Sequence, residues 1–378
     1  MEALNDVVGL TSKLVSINSI NPPGRESECS DFLGNFLESY GFSVEIHHFG
    51  EHRTNLIAKL DSPSHRKPIC FTGHLDTVPL GGAPWTKDPF VTSVENNCLF
   101  GRGTTDMKGG VAAFCLAAIE LRDLIATETG ISLVITGGEE TGCEGALALK
   151  SRPDLLTEVG AIIVGEPTSN YPIFGHKGAL WLRGVCNGIT AHGSSPELGD
   201  NAIHKACTAV GRLQAFNFNL LNHNIFGIPT LNVGRITGGL NTNSVPDYAA
   251  FELDIRSVPN QQHTDIIKAI VGATDSEIQY ETIVDLPGVM SDPSSSFSIN
   301  VGKIVGLSEN DLAAIPIAKF FTDASVLTPT LGNPPTIILG PGDIEMAHKT
   351  DEYCRIDALF NAVDIYKRII IDWCKTKP

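Results

Sequence analysis

Four short, largely apolar runs punctuate this chain: residues 69–72, 131–136, 161–164 and 336–339. Each is too short for a buried helix, and each leads directly into a glycine (Gly73, Gly137, Gly165, Gly340). Such runs read as buried strands with exit loops. Between them lie stretches with helical apolar spacing: residues 3–16, residues 26–40 with Gly41 as a C-cap, and Met107–Leu124. Phe42–Phe49 and Thr54–Leu60 read as further strands. Strands alternating with helices predict an α/β domain with a mostly parallel central sheet. In such sheets ligands bind beyond the C-terminal ends of the strands.

The middle of the chain breaks this alternation. Extended segments near 179–187, 229–236 and 249–256 enclose helical stretches near 200–217 and 260–272. Past residue 286 the α/β character returns, with a helix over 295–305, a strand over 336–339 and a closing amphipathic helix over 356–373. The expected organisation is a catalytic domain made of residues 1–177 and 289–378, interrupted by a smaller α+β domain over 178–288. A length of 378 residues suits two or three domains.

Composition removes whole classes of partner. The balance of 27 Lys+Arg against 43 Asp+Glu gives a formal charge of −16, which opposes nucleic-acid binding and adsorption to anionic membranes. No apolar run approaches the ~20 residues of a membrane span. The start, Met1-Glu2-Ala3-Leu4-Asn5-Asp6, has neither the basic residues nor the apolar stretch of a signal peptide. Nine scattered cysteines without a C-x-x-C pair argue against a disulfide framework or a thiolate zinc site, and a reducing cytoplasm is expected. No G-x-G-x-x-G opens a helix after the first strand, so a Rossmann-type nucleotide site is not expected.

Part of the acid excess sits where chemistry would be. His74 and Asp76 lie two apart in an extended exit and so share a side. They are either a buried histidine beside a turn aspartate, or a metal ligand with the carboxylate that orients it. Asp106, just before a helix, either caps it or uses its two oxygens to bridge cations. Glu139 and Glu140 leave the strand 131–136 pointing in different directions. They are either solvated, or one binds metal while the other takes a proton. Glu166 ends the run 161–164, where burying a carboxylate without a partner is costly. His348, in a Gly/Pro-rich loop, is either an exposed histidine or a further ligand. Two histidines and several carboxylates without thiolates suit zinc, cobalt or manganese, in numbers sufficient for two ions.

These segments together resemble a known family. Gly73-His74-Leu75-Asp76-Thr77-Val78-Pro79, Gly101-Arg102-Gly103-Thr104-Thr105-Asp106-Met107-Lys108-Gly109-Gly110, Glu139-Glu140, Gly165-Glu166-Pro167-Thr168 and His348 are similar, in order, to the zinc-dependent M20 peptidases and deacylases. The likeness is strongest to the acetylornithine deacetylase and succinyl-diaminopimelate desuccinylase branch. The resemblance implies that His74 and Glu166 hold one metal ion and Glu140 and His348 the other. It implies that Asp106 bridges them, Asp76 supports His74, and Glu139 is the general base and acid. It further implies that the inserted domain is a lid and a homodimer contact, and that His192 reaches the partner's site to polarise the scissile carbonyl. By itself His192 reads as a turn residue. Substrate-binding roles for Asn243 and Arg256 are implied as well; Arg256 would otherwise be a surface ion pair.

The activity so implied is metal-dependent hydrolysis of an N-acyl amino acid, a small-molecule substrate. Trp85–Phe90, Gly175–Gly178, Phe321–Ala324 and Leu339–Ile344 are similar to acetylornithine deacetylases, so N-acetylornithine is placed first. The alternative is succinyl-diaminopimelate, although Lys319–Ser325 departs from the Gly-Gly-Thr-Ser-Asp-Gly of typical desuccinylases. Other N-acyl amino acid hydrolases, a metallo-carboxypeptidase or aminopeptidase, and a non-catalytic metal-binding dimer come after these.

Overall fold

The apolar runs become the middle of a six-stranded sheet. In spatial order the strands are Ser43–Gly50, Arg53–Leu60, Ile131–Thr136, Ile69–His74, Ala161–Val164 and Thr336–Ile338. The last four run parallel, and the first two are antiparallel to their neighbours. Every residue of the four parallel strands is buried. That burial explains why they read as continuous apolar runs rather than alternating ones. The computed structural model describes residues 4, 6–218, 225–259, 261–308, 311–312 and 317–375.

Register places the strand exits side by side. Thr72 pairs with Val134 and with Val164, and His74 pairs with Thr136. The exits His74, Gly137–Glu140 and Gly165–Glu166 therefore converge at the C-terminal ends of the central parallel strands. Among the described residues, the helices Val7–Val15, Ser27–Glu38, Lys108–Glu120 and Ile356–Lys375 all contribute buried side chains to this core. The first is capped by Asp6, whose carboxylate accepts the Gly9 N–H at 2.8 Å; residues 3 and 5 of the expected helix lie outside the described residues. Phe71, Phe114 and Tyr366 meet between sheet and helices, with ring centroids 5.9 and 5.3 Å apart.

The expected single helix Met107–Leu124 is two helices, Lys108–Glu120 and Arg122–Glu128, joined at Leu121. Lys108 through Ile119 are buried on every side, as an all-round apolar helix must be. After Lys108, whose ammonium is spent on the Leu14 and Ile17 carbonyls, charge returns only at Glu120, where the chain reaches the surface and turns. A small sheet of Ser93–Glu95, Cys98–Phe100 and Tyr353–Arg355 has no counterpart in the sequence reading. Its strands have three residues each, too few to show a period.

Two separately compact units result. The larger comprises Met1–Gly175, Met290–Pro316 and Thr322–Pro378; the smaller comprises His176–Val289 and Ile317–Phe321. The smaller has an antiparallel sheet in the order Thr230–Gly238, Tyr248–Ser257, Gly178–Asn187, Gln279–Leu286. Leu180, Leu182, Phe251, Leu253 and Ile255 of this sheet form one core with residues of the helices Ala202–Gln214 and His263–Ala273. The edge strand Gln279–Leu286 is mostly exposed and was not legible as a strand. Among the described residues, no helix is long and apolar enough to cross a membrane.

Candidate metal centre

Five side chains of the larger unit gather where the parallel strands end. His74 closes its strand with Nδ1 2.9 Å from the backbone carbonyl of Asp76 and 3.5 Å from that residue's carboxylate. Nδ1–H donates to the carbonyl, which leaves Nε2 free as a ligand atom. Nε2 lies 3.2 Å from Oδ1 of Asp106 and 3.7 Å from Oε1 of Glu166. The other oxygen of Asp106 is 3.4 Å from Nε2 of His348, and that nitrogen is 3.1 Å from Oε2 of Glu140. Asp106 thus stands between the two histidines with one oxygen toward each. It does not cap the following helix, which starts at Lys108 without a side-chain cap.

Local backbone explains these placements. Gly138 has φ +75, a backbone conformation that side chains rarely adopt, so glycine makes this exit without strain. Gly110 lets its helix lie against the exit of the strand Ala161–Val164, since a Cβ there would sit 2.1 Å from the Gly165 carbonyl oxygen. The following residue, Glu166, is held in consequence. His348 adopts φ +65 in its loop, and its side chain is 54 % exposed although Nε2 points inward to the acids.

Asp76 does more than face His74. Its carboxylate accepts the backbone N–H groups of Glu139 and Glu140, each at 3.2 Å, and Nδ2 of Asn21 at 2.9 Å. It therefore ties the Glu139–Glu140 exit to the His74 exit. The orienting contact expected from its carboxylate is made at closer range by its own carbonyl. Asn21, Arg102, Asp323 and Glu352 are buried around this site and were missed. Oδ2 of Asp323 accepts from Thr136 Oγ1.

The acids of this cluster face the two histidines and no other cation among the described residues. Asp106, Glu139 and Glu166 are buried, and Glu140 nearly so, yet among the described residues none forms an ion pair with lysine or arginine. Burial first, then the neighbouring Glu166, raises the carboxyl pKa of Glu139 well above its usual value. Burial and Asp106 push Glu140 up to about 7. Hydrogen bonds to Asp106 and Glu140 push His348 up to about 10. Burial works against a charged His74, but Asp106, Asp76 and Glu166 raise it. Oε1 of Glu140 is buried without a hydrogen-bond partner among the described residues. Two triads, His74–Asp106–Glu140 and His74–Glu139–Glu166, each offer ligand atoms within 4.8 Å of one another. An orphaned oxygen and a nitrogen–oxygen donor set are what hard or borderline divalent cations require.

The remaining expected residues belong to the smaller unit. His192 is exposed, and its Nδ1 accepts the Ser194 N–H at 3.2 Å and contacts Ser194 Oγ at 2.7 Å, which puts the ring proton on Nε2. Asn243 is its neighbour: its carbonyl accepts the Gly193 N–H at 2.7 Å. Arg256 is held by Asp254, Nε to Oδ1 at 2.9 Å and Nη2 to Oδ2 at 3.1 Å, and lies over the Phe321 ring. One edge of its guanidinium is therefore already occupied.

Comparison with known proteins agrees with this geometry. The pattern of Peptidase family M20/M25/M40 matches residues 70–372. A probable succinyl-diaminopimelate desuccinylase of Staphylococcus epidermidis is 30% identical, covering 96% of each chain. A succinyl-diaminopimelate desuccinylase of Ehrlichia canis is 31% identical, covering 97% of each. A tripeptidase from Staphylococcus aureus shares the fold, with a TM-score of 0.78, 22% identity and 99% of each chain covered. With the match spanning most of its length and the acid–histidine cluster at its strand ends, this chain belongs to peptidase family M20/M25/M40 and is a metal-dependent amidohydrolase.

Proposed function

We propose that this protein hydrolyses the amide bond of an N-acyl amino acid, and that N-succinyl-diaminopimelate is the substrate. The observation carrying the reaction is Asp106, 3.2 Å from His74 through one oxygen and 3.4 Å from His348 through the other, with Glu139 buried beside them. His74 with Glu166 would hold one cation, Glu140 with His348 the other, and Asp106 both. Two divalent ions, zinc first with cobalt or manganese as substitutes, would supply Lewis acidity that polarises the amide carbonyl and brings the pKa of water to about 7. Glu139 takes the proton that water gives up and returns it to the departing amine. Its burial among other carboxylates raises its proton affinity, as a group that stores a proton between two steps requires.

His192 is read as the donor to the substrate carbonyl, supported by the proton on its exposed Nε2. Asn243 beside it and the free edge of Arg256 are read as substrate contacts; a guanidinium suits a carboxylate. The smaller unit is read as lid and contact with a second copy, supported by exposed Ile189, Leu198 and Leu240 (62%, 73% and 99%). Nine free cysteines support a reducing compartment such as the cytoplasm.

The order of substrates is reversed relative to the sequence reading. The named relatives support the succinyl substrate that stood there as the alternative. The test is hydrolysis of N-succinyl-diaminopimelate, N-acetylornithine and a tripeptide by protein loaded with zinc or cobalt, with Glu139→Ala as control. The succinyl compound should be cleaved fastest, and Glu139→Ala should lose ~10²–10⁴-fold in turnover while keeping its metal. Faster cleavage of N-acetylornithine would restore the first order, and no cleavage at all with both metals bound would leave a non-catalytic dimer.

A further inference from the structure

Glu352 is four residues beyond His348, fully buried, and faces the chain that carries Asp106. Its Oε1 accepts three backbone N–H groups, from Gly103 at 3.0 Å, Thr105 at 2.8 Å and Asp106 at 3.1 Å. Its Oε2 accepts Nη1 of Arg102 at 2.7 Å, and its carbonyl accepts the Gly101 N–H at 2.9 Å. Thr105 Oγ1 donates to the Tyr353 carbonyl at 2.7 Å. Arg102 is itself buried, gives Nη2 to the Pro79 carbonyl at 3.1 Å and lies over Trp85. Every contact of the carboxylate is with a donor, and the contacts fall on one corner, Gly101–Asp106. A single acceptor oxygen shared by three N–H groups leaves that corner little freedom.

We infer that Glu352 is a positioning residue for the metal centre: it fixes the backbone of Gly103–Asp106 so that Asp106 presents one oxygen to each side. One segment, 348–352, thereby carries His348 at one end and the hold on Asp106 at the other. Their spacing is set by the same stretch of chain. Carboxylates that hydrogen-bond ligand-bearing groups tune metal affinity by ~10–100-fold, and this one acts through the backbone. The inference rests on Asp106 being a ligand shared by two cations.

The experiment compares cobalt(II) binding by wild type, Asp106→Asn, Glu352→Met, Glu352→Gln and Arg102→Met, by chelator competition and by the cobalt absorption spectrum. Each variant is held where circular dichroism shows it folded. Glu352→Met should weaken binding of one ion by ~10–100-fold and alter the spectrum. Glu352→Gln, which keeps one acceptor oxygen, should recover a large part of both. Arg102→Met breaks the ion pair but leaves the three N–H bonds, so it should lower the melting temperature with a smaller loss of affinity than Glu352→Met. Wild-type cobalt binding by Glu352→Met overturns the inference, as does an equal loss in Arg102→Met. Should Glu352→Met fail to fold, Glu352→Ala takes its place, and wild-type cobalt binding by that variant overturns the inference instead. Unaltered cobalt binding by Asp106→Asn would sink the shared-ligand reading itself. Loss of an ion in Asp106→Asn with none in the folded Glu352 variants would sink only the positioning role.

Discussion

At the scale of single residues, the chain is distinguished by polar groups whose burial makes sense only through a partner. His74 has Nδ1 bonded and Nε2 facing Asp106, while Oε1 of Glu140 has no hydrogen-bond partner among the described residues. His176, in the smaller unit, is a different case. It is fully buried, its Nδ1–H donates to the Lys177 carbonyl at 2.9 Å, and its Nε2 has no partner among the described residues. Burial lowers its pKa from 6.5 to about 4. The folded state therefore resists a proton that the unfolded chain accepts. The stability this contributes is fully present above pH ~6.5 and is lost as the pH falls to ~4, about 3 kcal/mol in all. Urea unfolding at a series of pH values should show that decline, and His176→Gln should flatten it by a comparable amount. An equal decline in the variant would place the acid sensitivity elsewhere. None of this was legible in the sequence, where Gly175-His176-Lys177-Gly178 marked only a resemblance. Burial of one imidazole leaves no periodic trace.

At the scale of elements, what decides function is how closely a helix can approach a strand exit. A Cβ on Gly110 would sit 2.1 Å from the Gly165 backbone oxygen, which cannot give way as a flexible side chain would. Alanine is the better helix former by roughly 1 kcal/mol. Overpacking against backbone costs about 1–3 kcal/mol or more, so the clash wins. Gly110→Ala should lower the melting temperature and, by shifting Gly165–Glu166, weaken divalent binding. Gly211 is the internal contrast: it lies in the helix Ala202–Gln214 with nothing within 4 Å of its Cβ position. Gly211→Ala should raise the melting temperature and leave metal binding alone. Thermal melts with and without cobalt check both; a Gly110→Ala protein as stable as wild type would remove the close-approach argument. Strands and helices with a full apolar period were read correctly to within a few residues. The breaks at Leu121 and the three-residue strands were not, because a turn at the surface and a pairing over three residues carry no period.

At the scale of the whole molecule, the two units have separate apolar cores, one around Phe71, Phe114 and Tyr366 and the other around Leu182, Phe251 and Ile255. Such a chain need not unfold in a single step. Every side chain read as a metal ligand belongs to the larger unit. Ligands that bind only the folded state stabilise it by about 2.7 kcal/mol at a hundredfold excess over Kd. Calorimetry should therefore show the larger unit's transition rising with zinc or cobalt and falling with a chelator, while the smaller unit's transition stays in place. Two transitions that ignore the metal would refute the metal centre. The formal charge of −16 proved less informative than its size suggests. Asp76, Asp106, Glu139, Glu140 and Glu166 are five of the 43 acids, so most of the excess lies outside this cluster.

The sequence by itself determined the parallel sheet, the second domain's different character and the kinds of residue at each strand exit, because repeated burial writes a period into neighbouring positions. It also carried the family, because ordered motifs survive as strings. Tertiary structure alone decided that Asp106 gives one oxygen to each histidine, that Asp76 binds the backbone of Glu139 and Glu140, and that Glu352 holds the corner at Gly103–Asp106. It decided too that Arg256 is already half engaged by Asp254. These are contacts of directed polar groups. Most join residues far apart in the chain, and each depends on where two backbones meet, which no local pattern of side chains records.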